Sequence, residues 1–462
     1  MFKYVINEQR QLDFAKLSND FNPIHVDPLY AWRSMFGKQL VHGIHQVLIC
    51  LEDLAKNINE KIFIFKISAK FESPAGVNET ICIDNINFSE TYSEYVIKNE
   101  RGLTLTTLKV HYKKKSLTNF NFKLTNYTTS PLEPSSYAKE NLAESLYYNK
   151  KFLKELFKEL SSYVSPVNLA VLLASTRIVG MKYPGLNSIY SSFVFEFDEE
   201  ANINNSVHYS VSDKHIVLNM LNIKLDDTFV RGQIKAFIRP VAPKYKTLKE
   251  LKGLLPVDSF KNQRALIIGG TRGIGLQCLR LLANAGASTL FTYFKNSNEA
   301  DKIVKEFASE SINTNYVQVD VSSLSKESLE IIKAFNPTSI YYFATPKILN
   351  NNSNLDENLL QKFISYYVIG LDKILVGLKS ELKPIIFVPS TVYLDEKPTN
   401  LSEYVIAKSA SEMFLKLLEK KGYKIYNPRF PKVSTEQTMS LFKQKAVEPE
   451  EVLLEELKNM IK

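Results

Sequence analysis

The sequence is poor in cysteine and in long apolar runs, and each absence excludes a class of protein. Its three cysteines, Cys50, Cys82 and Cys278, are widely spaced and odd in number, which indicates neither a disulfide framework nor a zinc cluster. No apolar run reaches the length of about 18 residues that a membrane span requires. The first residues, Met1–Phe14, lack the apolar core of a secretory signal, so we expect a cytoplasmic protein.

The chain also has fewer acidic than basic residues, with 49 Asp and Glu against 58 Lys and Arg and a formal charge of +9. This excess is spread over the whole length. The densest run, Lys113–Lys115, ends a predicted strand, and no basic stripe is interleaved with aromatic residues. We therefore expect no nucleic-acid partner. A mild positive field that attracts anionic substrates, such as thioesters of coenzyme A or of an acidic carrier protein, is the alternative reading of the charge.

A length of 462 residues exceeds what one hydrophobic core supports and predicts several domains. An apolar helix expected from Val41 is followed by strand-like segments, and the same order recurs from the apolar segment Pro166–Lys182. The recurrence lies in the order of elements and not in residue identity. The segments expected as strands are Ile62–Phe71, Thr80–Phe88, Tyr95–Lys98, Leu103–Tyr112, the segment SSFVFEF at 191–197, Val207–Val211, Ile216–Leu225 and Phe229–Arg239.

After a linker rich in proline and lysine, the pattern changes to an alternation of strands and helices that is typical of a parallel doubly wound sheet. We therefore predict a multidomain protein, in which an α+β double unit precedes an α/β domain. The expected bounds are 1–120 and 121–242 for the two α+β halves, 243–261 for the linker and 262–462 for the α/β domain.

The α/β domain opens with RALIIGGTRGIG, a strand followed by a glycine-rich turn and a helix. Gly269, Gly273 and Gly275 stand where the backbone must turn sharply and where main-chain N–H groups at a helix start approach pyrophosphate oxygens. Downstream, Tyr404 and Lys408 are four residues apart, so a helix places them on one face. An ammonium near a phenol lowers the pKa of the phenol, which makes the tyrosine a usable proton donor or acceptor.

Residues 262–462 resemble the short-chain dehydrogenase/reductase family in this glycine turn, in Asp320-Val321, in Ser390 and in the Tyr-x-x-x-Lys pair. The resemblance implies a Rossmann-type fold. It also implies Tyr404 as general acid/base, Lys408 as its activator and ribose anchor, and Ser390 as the hydroxyl that orients the substrate carbonyl. The cofactor-binding residues that it implies are Gly269, Thr271, Arg272, Gly273, Ile274, Gly275, Asp320, Val321, Tyr404 and Lys408.

Three features depart from the family pattern. The usual Asn-Asn-Ala-Gly segment reads Tyr-Phe-Ala-Thr at 342–345, and Tyr367 stands near the slot of a catalytic asparagine. Ser390 precedes Tyr404 by 14 residues, one more than is common, so Thr391 is the alternative hydroxyl. These departures leave the proton relay of the reductase open.

The charge at the end of the second strand of this domain predicts the cofactor. An acid there would hydrogen-bond the ribose 2′-hydroxyl of NAD and repel a 2′-phosphate. The segment TLFTYFKNSNEA has no acid before Glu299 and carries Lys295, and Arg272 adds a cation in the glycine turn. We expect NADP(H), and therefore reduction as the working direction.

Near the N-terminus, LSNDFNPIHVDP at Leu17–Pro28 places Asp20, Asn22 and His25 on a turn stiffened by two prolines. Together with QLVHG at Gln39–Gly43, this segment resembles the MaoC-like, (R)-specific enoyl-thioester hydratase/dehydratase family, which has the hot-dog fold. The resemblance implies that Asp20 and His25 are catalytic and hold the water.

The same resemblance implies that the backbone N–H of Gly43 polarises the thioester carbonyl. Asn22 is grouped with Gly43 on the substrate side, although its side chain is also suited to fixing the turn. His42 and His45 lie on an apolar helix segment, where core packing is the usual role, so no metal site is expected.

These observations predict a bifunctional enzyme. The C-terminal domain would reduce a 3-oxoacyl thioester to the (R)-3-hydroxyacyl form, and the N-terminal half would dehydrate that product to the trans-2-enoyl form. The reverse, degradative direction uses the same residues, and a single active domain beside a scaffolding or nucleotide-sensing one is a further alternative. The second half, 121–242, lacks a counterpart of the Asp20/His25 turn and is expected to be non-catalytic, and homo-oligomerisation is expected through the reductase domain.

Overall fold

The computed structural model describes residues 1–115, 130–134, 136–212, 215, 218–348, 350, 354–378, 383–441 and 445–461. The chain divides into two compact units, an N-terminal unit that contains Met1–Val241 and a C-terminal unit that begins at Ala242. Across the described residues, no helix combines the length and the apolar composition that a membrane crossing requires.

Strands and helices alternate in blocks along the N-terminal unit. Its strands are β1 (Phe2–Val5), β2 (Ile62–Phe71), β3 (Thr80–Phe88), β4 (Tyr92–Asn99), β5 (Thr104–Lys114), β6 (Lys139–Ser145), β7 (Ser188–Phe197), β8 (Ser206–Val211), β9 (Met220–Asp226) and β10 (Val230–Ile238). Its helices are α1 (Glu8–Ser18), α2 (Pro23–Val26), α3 (Pro28–Arg33), α4 (Gly43–Ile58), α5 (Lys150–Leu156), α6 (Lys158–Tyr163) and α7 (Pro166–Arg177).

Within the described residues, these ten strands form one antiparallel sheet in the order β1-β3-β4-β5-β2-β7-β10-β9-β8-β6. The first five strands in this order belong to one half of the unit, and the last five to the other. The halves join where β2 pairs with β7, with Ala69 opposite Phe193. Two five-stranded sheets are thus fused edge to edge, which covers one edge strand of each half by hydrogen bonding.

One long buried helix belongs to each half. Helix α4 buries ten of its sixteen residues, and every α7 residue after Pro166 is buried, including the polar residues Thr176 and Arg177 at its end. A π-helical turn, Ile178–Lys182, continues α7. Both helices and the strands of both halves share one hydrophobic core, which is compatible with the hot-dog fold that the MaoC-like resemblance implies.

The C-terminal unit alternates strands and helices. Its strands are β11 (Arg264–Ile268), β12 (Ser288–Tyr293), β13 (Thr314–Gln318), β14 (Ser339–Tyr342), β15 (Ile385–Phe387), β16 (Ser390–Thr391), β17 (Ile425–Tyr426) and β18 (Arg429–Phe430). Its helices are α8 (Gly273–Asn284), α9 (Ser297–Ser309), α10 (Lys326–Phe335), α11 (Glu357–Ile364), α12 (Gly370–Leu378), α13 (Tyr393–Glu396), α14 (Ser402–Lys420) and α15 (Pro449–Ile461).

In the described part of this unit, six strands form a parallel sheet in the order β13-β12-β11-β14-β15-β17, and β16 pairs with β18 separately. The order reverses at β11, the first strand, so a crevice opens at its carboxyl end, where the glycine turn lies. This is the Rossmann-type doubly wound sheet expected from the sequence, and the predicted fold class is confirmed for both units.

The segment 243–261, expected to be a linker, packs into the C-terminal unit. Leu248, Leu251, Leu255 and Phe260 are buried in the core that α8 and the central strands share. The expected boundary between the two α+β halves, at residues 120 and 121, lies outside the described residues, and so do Ile216 and Val217 of one expected strand. The predicted domain bounds therefore stay a prediction.

Candidate active sites

The N-terminal candidate site is built on a turn that the sequence stiffens at each step. Helix α1 ends before Asn19, whose backbone is left-handed (φ 60°), a conformation that asparagine adopts more readily than most residues. The side-chain oxygen of Asn22 caps α2, which begins at Pro23, and Asp27 caps α3 in the same way. Two capped helix starts in succession fix the backbone that carries Asp20 and His25.

The structure brings Asp20 and His25 together with His42. A carboxylate oxygen of Asp20 and one ring nitrogen of each histidine all lie within 4.8 Å of one another. The His25 and His42 rings stack with centroids 3.8 Å apart. The Nδ1 of His25 donates to the carbonyl of Leu40 at 2.9 Å, which leaves Nε2 of a neutral ring as a proton acceptor.

Burial acts on the two catalytic candidates in opposite directions, because it disfavours the charged form of each. It raises the pKa of Asp20, although His25 and the hydrogen bond from Thr176 oppose the shift. It lowers the pKa of His25 to about 3, with His42 acting in the same direction. The site therefore holds a neutral imidazole beside a carboxyl group whose protonated form burial stabilises, which is a usable acid–base pair.

A buried hydrogen-bond chain supports His42 from behind. The side-chain amide of Gln11 donates to the Leu40 carbonyl at 3.0 Å and meets Nδ1 of His42 at 2.8 Å. The Nε2 of His42 therefore carries the proton, and it faces the Asp20 carbonyl at 3.1 Å and its carboxylate at 3.7 Å. A nitrogen that donates to Asp20 has no lone pair for a metal ion, so this pattern does not fit a ligand role for His42.

Two residues of the second half contact the carboxylate of Asp20. The hydroxyl of Thr176 on α7 donates to Asp20 Oδ2 at 2.7 Å. A Cβ built on Gly180, in the π-helical turn, would lie 2.4 Å from both carboxylate oxygens. Sequence reasoning missed both residues, because nothing in their spacing relates them to a turn more than 150 residues earlier in the chain.

The predicted place of Asn22 on the substrate side is not supported by the geometry. Its side-chain nitrogen donates to the carbonyls of Gly180 at 2.8 Å and of Gly185 at 2.9 Å, and its oxygen accepts from the N–H of Ile24. Asn22 is fully buried and its amide is used by the protein itself. It clamps the catalytic turn to the second half.

Gly43 is the first residue of α4, where N–H groups have no partner within the helix. A Cβ built on it would lie 2.7 Å from the ring of Phe71. A side chain there would displace that ring, so glycine lets strand β2 approach the helix start. This placement is compatible with the expected oxyanion role.

The second candidate site begins at the glycine turn between β11 and α8. Gly269 and Gly273 have left-handed backbones (φ 82° and 56°). A Cβ built on Gly275 would lie 2.2 Å from the carbonyl oxygen of Gly269, so only glycine permits this tight turn. Thr271, Arg272 and Ile274 lie in the same turn. The glycines leave free a space at the start of α8 that side chains would otherwise fill. This space fits the pyrophosphate of a nicotinamide dinucleotide.

Other expected cofactor residues lie at the carboxyl ends of neighbouring strands. Asp320, just beyond β13, accepts hydrogen bonds from the backbone and hydroxyl of Ser322, and Val321 is buried. Lys295 follows β12, with its ammonium 5.2 Å from the Phe294 ring centre. Sequence reasoning missed Lys347, a partly buried lysine on which the charge of Arg272 in the glycine turn acts. Burial and this neighbouring charge lower the pKa of Lys347 to about 8.

Tyr404 and Lys408 share one face of α14, as their spacing predicts, and both are buried. The ammonium of Lys408 donates to the Pro389 carbonyl at 2.8 Å and lies 4.4 Å from the ring centre of Tyr367. Burial raises the pKa of Tyr404 to about 12 and lowers that of Lys408 to about 8. Desolvation of the phenol sets the direction of the tyrosine shift, so the expectation that the ammonium lowers the tyrosine pKa is corrected.

The structure separates the two candidate hydroxyls. Ser390 and Thr391 are neighbours on β16, so their side chains point to opposite sides. Ser390 donates to Glu412 at 2.6 Å, whereas Thr391 hydrogen-bonds Tyr404 and lowers its pKa. The geometry favours Thr391, the alternative hydroxyl, as the one beside Tyr404, and the hydroxyl of Ser390 is used by Glu412.

Tyr367 occupies a π-helical turn, Ser365–Ile369, where the family asparagine was expected. Its hydroxyl meets that of Thr345 at 2.6 Å, and its ring packs edge-on against Tyr404 at 5.9 Å between centroids. Two of the three departures seen in the sequence thus contact each other, because Thr345 and Tyr367 form one hydroxyl pair.

Comparison with known families agrees with this division into two sites. Residues 3–105 match the family model described as MaoC like domain, and residues 263–338 match the one described as short chain dehydrogenase. The chain therefore combines two enzyme-type domains. They are a MaoC-like dehydratase domain, which includes Asp20, His25 and Gly43, and a short-chain dehydrogenase domain with a nicotinamide-cofactor turn; Tyr404 and Lys408 lie beyond the matched residues.

A curated relative is the L-rhamnose 1-dehydrogenase (NADP(+)) of Thermoplasma acidophilum, 32% identical over 96 residues. The match spans 21% of this chain and 36% of that protein. Among solved structures, a 3-oxoacyl (acyl-carrier-protein) reductase of Agrobacterium tumefaciens with NADP bound is 16% identical, with a TM-score of 0.38, and covers 44% of this chain and 88% of its own. An alcohol dehydrogenase of Thermococcus sibiricus complexed with 5-hydroxy-NADP is 20% identical, with the same TM-score, and covers 43% and 90%.

Proposed function

We propose that the chain is a bifunctional enzyme that reduces a 3-oxoacyl thioester to the (R)-3-hydroxyacyl form with NADPH and dehydrates it to the trans-2-enoyl form. The observation that carries the proposal is the presence of two separate proton-handling pairs, Asp20 with His25 and Tyr404 with Lys408. Asp20 and His25 lie within residues 3–105, which match the MaoC-like model, and Tyr404 and Lys408 lie in the unit whose residues 263–338 match the short-chain dehydrogenase model. Thioesters of coenzyme A or of a carrier protein are the proposed substrates.

In the dehydratase site, the neutral Nε2 of His25 removes the Cα proton of the 3-hydroxyacyl thioester. The electron pair forms the Cα–Cβ double bond as the Cβ–O bond breaks, and the carboxylic acid of Asp20 protonates the departing hydroxyl, which leaves as water. Return of the proton from His25 to Asp20 restores both groups. The N–H of Gly43 hydrogen-bonds the thioester oxygen while it carries enolate-like charge.

In the reductase site, NADPH supplies the hydride that adds to the 3-oxo carbon when it is bound. The phenol of Tyr404 gives its proton to the carbonyl oxygen, and the Thr391 hydroxyl hydrogen-bonds that oxygen and orients it. Lys408 would hold the ribose from the helix face that it shares with Tyr404. Residues 269–275 would hold the pyrophosphate, and Lys295 with Arg272 would favour a 2′-phosphate.

We also propose a homo-oligomer formed through the C-terminal unit. Ile406, Met413 and Leu417 are exposed along one stripe of α14, at intervals of seven and four residues. An apolar stripe of this kind on an outer helix fits a second copy of the same helix. A charged variant at Met413 and Leu417 should elute as a smaller species in size-exclusion chromatography with light scattering.

Two assays of the wild-type chain test the proposed function. The dehydratase should interconvert 3-hydroxyacyl and 2-enoyl thioesters without cofactor, seen as a change in enoyl-thioester absorbance. The reductase should oxidise NADPH in the presence of an acetoacetyl thioester. Running both assays with coenzyme A and carrier-protein thioesters identifies the carrier. If neither thioester is turned over in either assay, the proposal is wrong. If the chain hydrates the enoyl thioester and then reduces the oxidised cofactor, the degradative direction is identified.

A further inference from the structure

The second half of the N-terminal unit has no counterpart of the Asp20/His25 turn in its sequence, yet its central helix lies against the first half's pair. Helix α7 and the π-helical turn that follows it supply the contacts that Thr176 and Gly180 make with Asp20. A π-helical turn is an uncommon insertion that is frequent at functional sites. Here it brings the backbone of Gly180 against a carboxylate.

The hydrogen bond from Thr176 is the shortest that the carboxylate of Asp20 makes within the described part of the chain. Its oxygen Oδ2 accepts from the Thr176 hydroxyl at 2.7 Å, whereas Oδ1 accepts from the backbone N–H of Asn22 at 3.2 Å. Oδ1 is thus the oxygen with weaker protein contacts. The threonine fixes one oxygen and leaves the other for the substrate hydroxyl.

The same helix also anchors the backbone on either side of Asp20. Arg177 donates to the carbonyl of Ser18 at 2.9 Å and is itself held by Glu144 at 2.7 Å. Asn22 donates to the carbonyl of Gly180 on the far side. Contacts before, at and after Asp20 therefore all come from the second half.

The charged and titratable groups that face Asp20 are few. His25 and Arg177 act on its carboxylate electrostatically, and His42 lies 3.7 Å from it. His25 and His42 are neutral at working pH, since burial lowers the pKa of each to about 3. Among the neutral neighbours, Thr176 is the side chain that donates a hydrogen bond to the carboxylate.

We propose that Thr176 is a positioning residue for the dehydratase step, and that the second half, through Thr176 and Gly180, completes the site of the first. This inference rests on the proposed dehydratase function of Asp20 and His25. It assigns the second half a part in the reaction and not only in the fold.

The test compares Thr176→Val with Thr176→Ser in the full chain, using dehydration without cofactor as the readout. The valine is of equal size and lacks the hydroxyl, so we expect kcat to fall by about tenfold or more with little change in KM, because the acid is no longer held in place. The hydrogen bond from Thr176 lowers the pKa of Asp20, so its loss moves the basic limb of the pH profile to higher pH. Thr176→Ser keeps the hydroxyl, so its kcat and the basic limb of its pH profile should stay close to those of the wild type.

Thr106→Val is the matched control, because Thr106 is a buried threonine of the same unit that hydrogen-bonds Gln46 instead. It should keep the wild-type pH profile. Gly180→Ala, which forces a methyl against Asp20, should lower kcat as Thr176→Val does. Melting curves followed by the fluorescence of Trp32, the only tryptophan, show whether each variant is folded.

An unchanged kcat and basic limb in Thr176→Val, or equal losses in the valine, serine and Thr106 variants, would overturn the positioning role. Suppose that the wild type dehydrates the thioester, that Asp20→Asn abolishes this activity and that Thr176→Val remains fully active. The proposed function would then stand, and only the positioning role of Thr176 would be wrong. Absence of dehydration in the wild type would instead remove the proposed function.

Discussion

At the scale of single residues, the N-terminal site shows how one physical effect prepares two different groups. Burial removes water from both Asp20 and His25, and each then favours its neutral form. A neutral carboxyl can donate a proton, and a neutral imidazole can accept one. The proposed division of roles between acid and base thus follows from desolvation. The hydrogen bonds that His25 donates to the Leu40 carbonyl and that Asp20 accepts from Thr176 fix the orientation of the two groups.

The same burial predicts the pH dependence of folding. His25, His42 and His45 all have lowered pKa values in the folded chain, so the unfolded chain binds more protons below pH 6.5. Unfolding free energy should fall as the pH drops from about 6.5 towards 3, by up to about 1.4 kcal/mol per pH unit for each histidine. Asp20, with its raised pKa, opposes this loss with one proton.

Urea unfolding at pH 7 and pH 5, followed by the fluorescence of Trp32, measures this slope. His45→Gln keeps a side-chain donor towards Gln11 but cannot titrate, so it should reduce the slope. His215→Gln, at an exposed position, is the control and should leave the slope unchanged. Equal stability of the wild type at both pH values would contradict the assignment of neutral buried histidines.

A second prediction at this scale concerns the hydroxyl beside Tyr404. Thr391→Val should lower reductase kcat by about 100-fold, as expected for loss of a donor to the developing oxyanion. Ser390→Ala should cost far less, since Ser390 bonds Glu412, which Arg429 already pairs at 2.8 Å. Steady-state NADPH oxidation of both variants decides, and a larger loss in Ser390→Ala would restore the serine as the orienting group.

At the scale of elements, the strands could be predicted closely and the contacts between distant elements could not. Strands β2 and β3 have the bounds that their β-branched and aromatic residues predict, because the local pattern determines them. Neighbouring residues on β16 point to opposite sides, so a shift of one position decides which hydroxyl faces Tyr404. The sequence spacing alone could not decide between Ser390 and Thr391. The link from α7 to Asp20 depends on the pairing of β2 with β7, which no local pattern encodes.

The charge of the residues at the end of β12 predicts which nicotinamide cofactor the chain prefers. With Lys295 there and no acid before Glu299, we expect kcat/KM for NADPH to exceed that for NADH. Lys295→Glu should reduce the preference by about tenfold or more, the size expected for a charge-assisted contact with a 2′-phosphate. Lys305→Glu, an exposed lysine on α9, is the matched control. NADH used by the wild type at least as efficiently as NADPH would contradict the charge argument.

At the scale of the whole molecule, the chain joins two enzyme-type domains, and the reactions that we propose for them act on one acyl chain. In that proposal the reductase forms the 3-hydroxyl group that the dehydratase removes, so the product of one site is the substrate of the other. The family models support this pairing of domains, and the sequence motifs predicted it from residues that lie close together in the chain. The part that the second half has in the first site became visible only in three dimensions.

The most direct test of the central claim is to measure both activities in two variants of the full chain. Asp20→Asn should lower cofactor-independent dehydration by roughly 10²–10⁴-fold, as expected for loss of an acid–base group, and leave NADPH oxidation with an acetoacetyl thioester unchanged. Tyr404→Phe should do the reverse. If either variant lost both activities while remaining folded, or if neither variant lost its own, the two-centre account would be contradicted.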